Sequence, residues 1–199
     1  MITISRLLAG ATLAASLLNI SASVFADTPA PVQMLKNPGL EGTYNPVTPS
    51  PTTKSLITGV LPAAWQDGSD WADVDIAYSE LTTDVHEGKS ALKVEYTAKR
   101  AGVCQMFQYI PKIIQGHTYT LTVWLQGNRK VPIDVYLRRT TAPYTEYGKA
   151  VVVPGIPWEK VTVKATATDT IDACFMIRPA APVTFYVDDA SMTDDGPAK

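Results

Sequence analysis

Along much of the chain every second residue is apolar. In Ile133-Asp134-Val135-Tyr136-Leu137-Arg138 and again in Ala173-Cys174-Phe175-Met176-Ile177-Arg178, apolar side chains alternate with others. A period of two marks a strand with one buried face, because successive side chains leave opposite sides of the pleat. Pro and Gly interrupt the alternation at short intervals, as turns between strands require. The pattern predicts strands at Trp71–Ser79, Ser90–Thr97, Gly102–Ile110, His117–Gln126, Val131–Arg139, Trp158–Ala165, Ala173–Arg178 and Thr184–Met192. So many strands and no helical period predict an all-β fold, a jelly-roll β-sandwich of two antiparallel sheets.

The same alternation assigns faces. Ile133, Val135 and Leu137 should point to the core, which turns Asp134, Tyr136 and Arg138 outward. Ala173, Phe175 and Ile177 should be inside, with Cys174, Met176 and Arg178 outside. In Gly102–Ile110, placing Phe107 inward with Gln105 and Tyr109 turns Cys104, Met106 and Gln108 outward. Tyr44 to Ser55 (YNPVTPSPTTKS) is too rich in Pro to be a central strand, since Pro donates no ladder hydrogen bond, and reads as a long loop.

The ends define the domain layout. Arg6 precedes an apolar run, Leu7 to Ile20, and Val24-Phe25-Ala26 places small residues at the −3 and −1 positions of a cleavage site. The run is too short to span a bilayer, so residues 1–26 read as an export signal peptide and the protein as secreted or periplasmic, with no membrane anchor after cleavage. Residues 27–36 form a lead-in, 37–192 the sandwich, and 193–199 a frayed tail.

Composition narrows the partners. The formal net charge is −2, and losing Arg6 makes the mature chain more acidic still. That argues against nucleic acid, which selects basic patches. The cysteine count is two, Cys104 and Cys174, and an even count in an exported chain reads as one disulfide.

Five segments together resemble a known family. They are Asn37-Pro38-Gly39-Leu40-Glu41, Leu61-Pro62-Ala63-Ala64-Trp65, His86-Glu87-Gly88-Lys89-Ser90-Ala91-Leu92, Gln105 followed by Gly116-His117-Thr118-Tyr119-Thr120-Leu121, and Thr184-Phe185-Tyr186-Val187-Asp188-Asp189-Ala190-Ser191-Met192. Their order and spacing resemble the carbohydrate-binding modules of families four, nine and twenty-two, which have a galactose-binding-like β-sandwich. Leu40 stands where those modules usually carry Phe. The resemblance implies a non-catalytic module that binds polysaccharide or oligosaccharide, with Trp65 and Trp158 at structural positions. It also implies a structural Ca²⁺ held by the Glu41 and Asp188 carboxylates with backbone oxygens of Gly39 and Lys89. Two carboxylates plus carbonyls suit a cation that takes six to eight hard oxygens. Asp189 is the alternative ligand if the strand phase is shifted by one residue.

Sugar rings pack their C–H faces on aromatic planes, and their hydroxyls need fixed donors and acceptors. The outward face gives that mixture in Tyr136, Arg138, Asp134, Gln108 and Arg178. The segment Thr140 to Lys149 adds Tyr144, and the segment before the first long strand adds Trp71. Two rival classes remain: an envelope structural or adhesion protein using the same sandwich, and a small jelly-roll glycosidase or polysaccharide lyase. Glycosidases need two facing carboxyls. Asp73, Asp75 and Asp134 are candidates by strand position, but none is marked as acid or base. Neither His86 nor His117 falls mid-strand on that face, and no catalytic residue is assigned.

Overall fold

In the computed structural model, residues 32–48 and 54–198 are described. The export signal expected over 1–26, the start of the lead-in and the middle of the Pro/Thr segment lie outside them.

Two sheets pack face to face. The strands are β1 (Tyr44–Pro46), β2 (Leu56–Pro62), β3 (Gln66–Asp67), β4 (Asp73–Leu81), β5 (Ala91–Ala101), β6 (Met106–Ile113), β7 (His117–Gln126), β8 (Ile133–Arg139), β9 (Glu146–Val152), β10 (Glu159–Thr166), β11 (Ile171–Pro179) and β12 (Val183–Pro197). One sheet has the order β1-β2-β4-β5-β12-β7-β10 and the other β3-β6-β11-β8-β9. Pairing is antiparallel except between β2 and β4, which run parallel. No helix occurs among the described residues.

The core is what alternation demands. From the larger sheet come Val74, Ile76, Val94, Leu121, Val123, Phe185 and Val187; from the smaller come Ile133, Val135, Leu137, Ala173, Phe175 and Ile177, all buried in one cluster. Each large aliphatic or aromatic side chain so removed from water contributes about 1.5–3 kcal/mol. The inward sets expected for β8 and β11 are therefore the observed ones.

Strand β6 departs from expectation. Cys104, Met106, Ile110 and Ile113 are in the core, while Phe107 packs on the opposite face and Tyr109 is exposed. A one-residue error of phase sends every side chain of a strand to the other face. Phe107 was the misleading residue, being an aromatic whose apolar cover is on the outer side.

The disulfide expectation fails for the same reason. Cys104 belongs to the core and Cys174 to a separate cluster with Tyr136, Met176 and Phe107, so the sheet separates them and both are free, buried thiols.

The ends are more ordered than their sequences suggest. β12 continues to Pro197, which lies opposite His117, so most of the expected tail is strand. Gln33 bridges Thr193, and Met34 N–H donates to Met192 O at 2.8 Å, which ties the lead-in to the same strand. Within the Pro-rich segment, Tyr44–Pro46 is an edge strand, a position where a proline's missing donor is tolerated.

Candidate functional site

The outer face of the five-stranded sheet, together with the loops at its end, forms an open groove of about 970 Å³. Its walls include Trp71, Gln105, Phe107, Tyr109, Arg138, Tyr144, Cys174, Met176 and Arg178. The phase of β8 and β11 places Arg138, Cys174, Met176 and Arg178 there, and the true phase of β6 adds Phe107 and Tyr109. The sequence reading had Phe107 and Tyr109 facing the core; the exposure of Tyr109, at 45 %, places it on the groove wall instead.

Trp71 is 60 % exposed and Tyr144 53 %, so both present ring faces to solvent. Trp71 is not loose: its Nε1–H donates to Gly68 O at 3.0 Å. The loop beneath is fastened to the lead into β6, with Gly68 N–H on Gln105 O at 2.7 Å and Gln105 N–H on Ser69 Oγ at 2.7 Å. Tyr144 sits at φ 58°, a left-handed conformation uncommon for a bulky residue, in a turn closed by its N–H on Thr141 O at 2.9 Å. The guanidinium carbon of Arg138 lies 4.9 Å from the centroid of its ring, a cation–π arrangement.

Arg178 and Arg138 are in different electrostatic states. Arg178 Nη2 lies 2.6 Å from Asp134 Oδ2 and 3.7 Å from Glu146 Oε1, and its guanidinium also caps the Tyr136 ring at 4.9 Å. Lys149 Nζ joins at 3.8 Å from Asp134 and 3.4 Å from Glu146. The Arg138 guanidinium makes no ion pair among the described residues; it lies beside the Cys174 thiol, and its Nε is buried without a hydrogen-bond partner. Tyr109 donates to Asp172, whose carboxyl this bond holds below its usual range.

Three expected sugar contacts are not free in the groove. Gln108 faces inward, buried, with its amide spent on the Lys36 backbone: Lys36 N–H donates to Oε1, and Nε2 donates to Lys36 O at 2.8 Å. Asp134 stands on the outer face but is engaged by Arg178 and Lys149. Tyr136 is on the expected face yet fully buried under its neighbours, with its O–H on Met176 Sδ at 2.8 Å. Burial pushes its phenol up to about 12. Of the expected set, Trp71, Arg138, Tyr144 and Arg178 meet in the groove. Asp73 and Asp75 pair with Arg100 on the other sheet, away from the groove.

A second constellation lies around the loop 86–90. Glu41 Oε1 accepts N–H groups of Lys89 at 2.7 Å and Ser90 at 3.1 Å, while Asp188 Oδ2 accepts those of His86 at 2.9 Å and Glu87 at 3.3 Å. A Cβ added to Gly39 would lie 3.4 Å from Glu41 Cγ and 3.8 Å from Asp189 Oδ1, so the Gly39 main chain closes the same corner. Burial, then the neighbouring Asp189 charge, raises the Asp188 carboxyl to about 6. Among the described residues no Lys or Arg pairs with Glu41, Asp188 or Asp189; only His86 does, its Nδ1 2.5 Å from Asp189 Oδ2. Among the described residues the three-membered group whose ligand atoms lie within 4.8 Å of one another is His86, Glu87 and Asp189, while Glu41 and Asp188 brace the same loop through its N–H groups; hard carboxylate oxygens of this kind are what a dication such as Ca²⁺ takes. His86 also stacks on Trp124 with centroids 3.8 Å apart and meets Trp158 edge-on at 6.1 Å, so Trp158 is a partly exposed wall of this loop rather than a core residue.

Residues 40–177 match the family model described as carbohydrate binding domain, types four and nine. No curated protein sequence matches significantly. Among solved structures, a family 4 carbohydrate-binding module superposes with a TM-score of 0.56 at 17 % identity, over 80 % of this chain and 99 % of its own. A putative sugar binding protein from Bacteroides thetaiotaomicron gives 0.53 at 13 % identity, over 82 % and 100 %. A family 61 module in complex with β-1,4-galactotriose gives 0.52 at 13 %, over 82 % and 99 %. At these identities the structures establish the fold alone, whereas the family model spans more than half of the sequence: the chain belongs to the carbohydrate binding domain family of types four and nine.

Proposed function

We propose that this protein is an exported, non-catalytic module that holds a polysaccharide chain in the groove over β6, β11 and β8. The observation that carries the reading is the groove wall itself: exposed aromatic faces at Trp71, Tyr109 and Tyr144 beside the donors of Arg138, Arg178 and Gln105. Aromatic planes take the C–H faces of sugar rings, and planar guanidinium donors suit oxygen pairs on a sugar. Its volume is of the order of small-molecule sites in general. Phe107, Met176 and Tyr136 form the packed floor that keeps these groups in place. No carboxylic acid is among the groove's described lining residues, whereas glycoside hydrolysis by its usual route takes two.

We infer in addition that Glu41 and Asp188, with main-chain oxygens of Gly39 and Lys89, hold a structural Ca²⁺. The ion would neutralise the buried Asp188 charge and fix the loop 86–90 to the two ends of the domain, apart from the groove.

Affinity electrophoresis of the mature protein through gels containing xylan, mixed-linkage β-glucan, laminarin, alginate or pectin tests the binding reading. Retardation by at least one polymer, with no reducing sugar or unsaturated product released, is the expected result. Free migration through all of them rejects polysaccharide binding, and product release rejects the non-catalytic role.

A further inference from the structure

The groove holds a charge that the protein does not neutralise. Arg178 is compensated by Asp134 and Glu146 on the outer rim. Arg138 is not: its guanidinium rests on the Tyr144 ring, Nε is out of water with no acceptor, and Glu146, opposite it on β9, is within ion-pair distance of Arg178 and Lys149 instead. The carboxylate of Asp172, on β11, is engaged by Tyr109 and by Lys112 N–H at 3.0 Å. This unpaired cation lies in a chain whose formal net charge is −2, so it is a local feature and not part of a generally basic surface.

A ligand that fills the groove strips water from this guanidinium. With a neutral sugar above it, the cation would be covered and left unpaired, which is unfavourable. An anionic group restores the missing partner and accepts from the guanidinium fork in the geometry in which charge-assisted bonds are strongest. We propose that the glycan bound here is acidic, with a uronate carboxylate or a sulfate ester seated on Arg138. The aromatic faces of Trp71 and Tyr144 then take the adjoining rings. This rests on the polysaccharide-binding reading of the same groove.

The test compares matched polymers that differ only in charge, using the intact mature protein in affinity gels and by titration calorimetry. One pair is polygalacturonate against the same polymer fully methyl-esterified; the other is a sulfated galactan against its desulfated backbone. A neutral mixed-linkage β-glucan completes the set. The expected result is at least tenfold tighter binding to the charged member of one pair, and the pair that responds identifies carboxylate or sulfate as the source. Arg138→Gln should abolish that preference, and Arg138→Lys should keep part of it, since charge remains and the fork is lost. Equal binding to charged and uncharged partners, or tight binding to the neutral glucan alone, overturns the acidic-glycan inference and leaves polysaccharide binding intact. A preference that survives Arg138→Gln shows a diffuse surface effect and overturns the seat on Arg138. Binding to none of the polymers removes both readings. The native protein's response to the matched pairs decides the matter even if an Arg138 variant does not fold.

Discussion

The indole of Trp71 passes directly over Gly102: a Cβ added at Gly102 would lie 3.0 Å from Trp71 Cζ3 and 2.6 Å from Ala72 Cβ. Gly102 is also at φ 75°, where a side chain costs roughly 1–2 kcal/mol. The most exposed aromatic of the groove thus depends on a residue with no side chain. Trp71→Ala should weaken retention on the bound polysaccharide at least tenfold, about 1.4 kcal/mol, with an unchanged melting temperature. Gly102→Ala should lower both stability and retention. Calorimetry paired with affinity gels separates the two; full retention by Trp71→Ala would remove the indole from the site.

Tyr136 gives the opposite pattern. It is fully buried, so Tyr136→Ala should cost about 3–5 kcal/mol of stability, as large-to-small aromatic changes in packed sites do. Tyr136→Phe loses only the O–H on Met176 and should bind polysaccharide normally. A Tyr136→Phe protein that is stable but fails to bind would put the hydroxyl in contact with ligand and contradict the buried position.

The two thiols should be silent under native conditions. Burial raises both Cys104 and Cys174 above the ordinary thiol range, so the reactive thiolate is scarce at neutral pH. Mass spectrometry after alkylation should find neither modified in the folded protein and both modified after unfolding without reductant. The melting temperature should not respond to reductant. A mass two units low in the unfolded, unreduced protein would instead reveal a disulfide.

For the cation, the wild-type melting temperature should fall on chelation and recover with calcium. A ligand at a hundred times its Kd adds about 2.7 kcal/mol to the folded state. Glu41→Ala should be less stable, indifferent to chelator, and still retained by polysaccharide. Gly88→Ala should lose the chelator response too, because its Cβ would fall 2.0 Å from Glu41 Oε1. A wild-type protein indifferent to chelator would dismiss the ion.

Sequence periodicity identified the sandwich because β8 and β11 carry clean alternation with a buried side of pure aliphatics and Phe. It failed where both faces are apolar. β6 has Met106 and Ile110 on one side and Phe107 on the other, so hydrophobicity alone offers no phase, and that error carried Gln108 into the site and Phe107 and Tyr109 out of it. The short edge strands β1 and β3 and the polar edge strand β9 went unread because edges need not alternate, and β2, Leu56–Pro62, went unread because Thr58, Gly59 and Pro62 break its pattern. Trp71, Arg138, Tyr144 and Arg178 were legible as a chemical mixture. The pairing that separates them was not, since Asp134 meets Arg178 only through the β8–β11 register and Glu146 reaches it from β9, where it stands opposite Arg138.

The last described strand in chain order, β12, lies between β5 and β7 in the middle of the larger sheet, with the lead-in bridged to its far half. Until β12 arrives, β5 and β7 each expose an unpaired edge and the sheet is two separate fragments. During synthesis the sheet therefore stays unfinished until the residues of β12 emerge, and then the two fragments and the segment around Gln33 close together. Such an order makes loss of β12 a failure of the whole larger sheet.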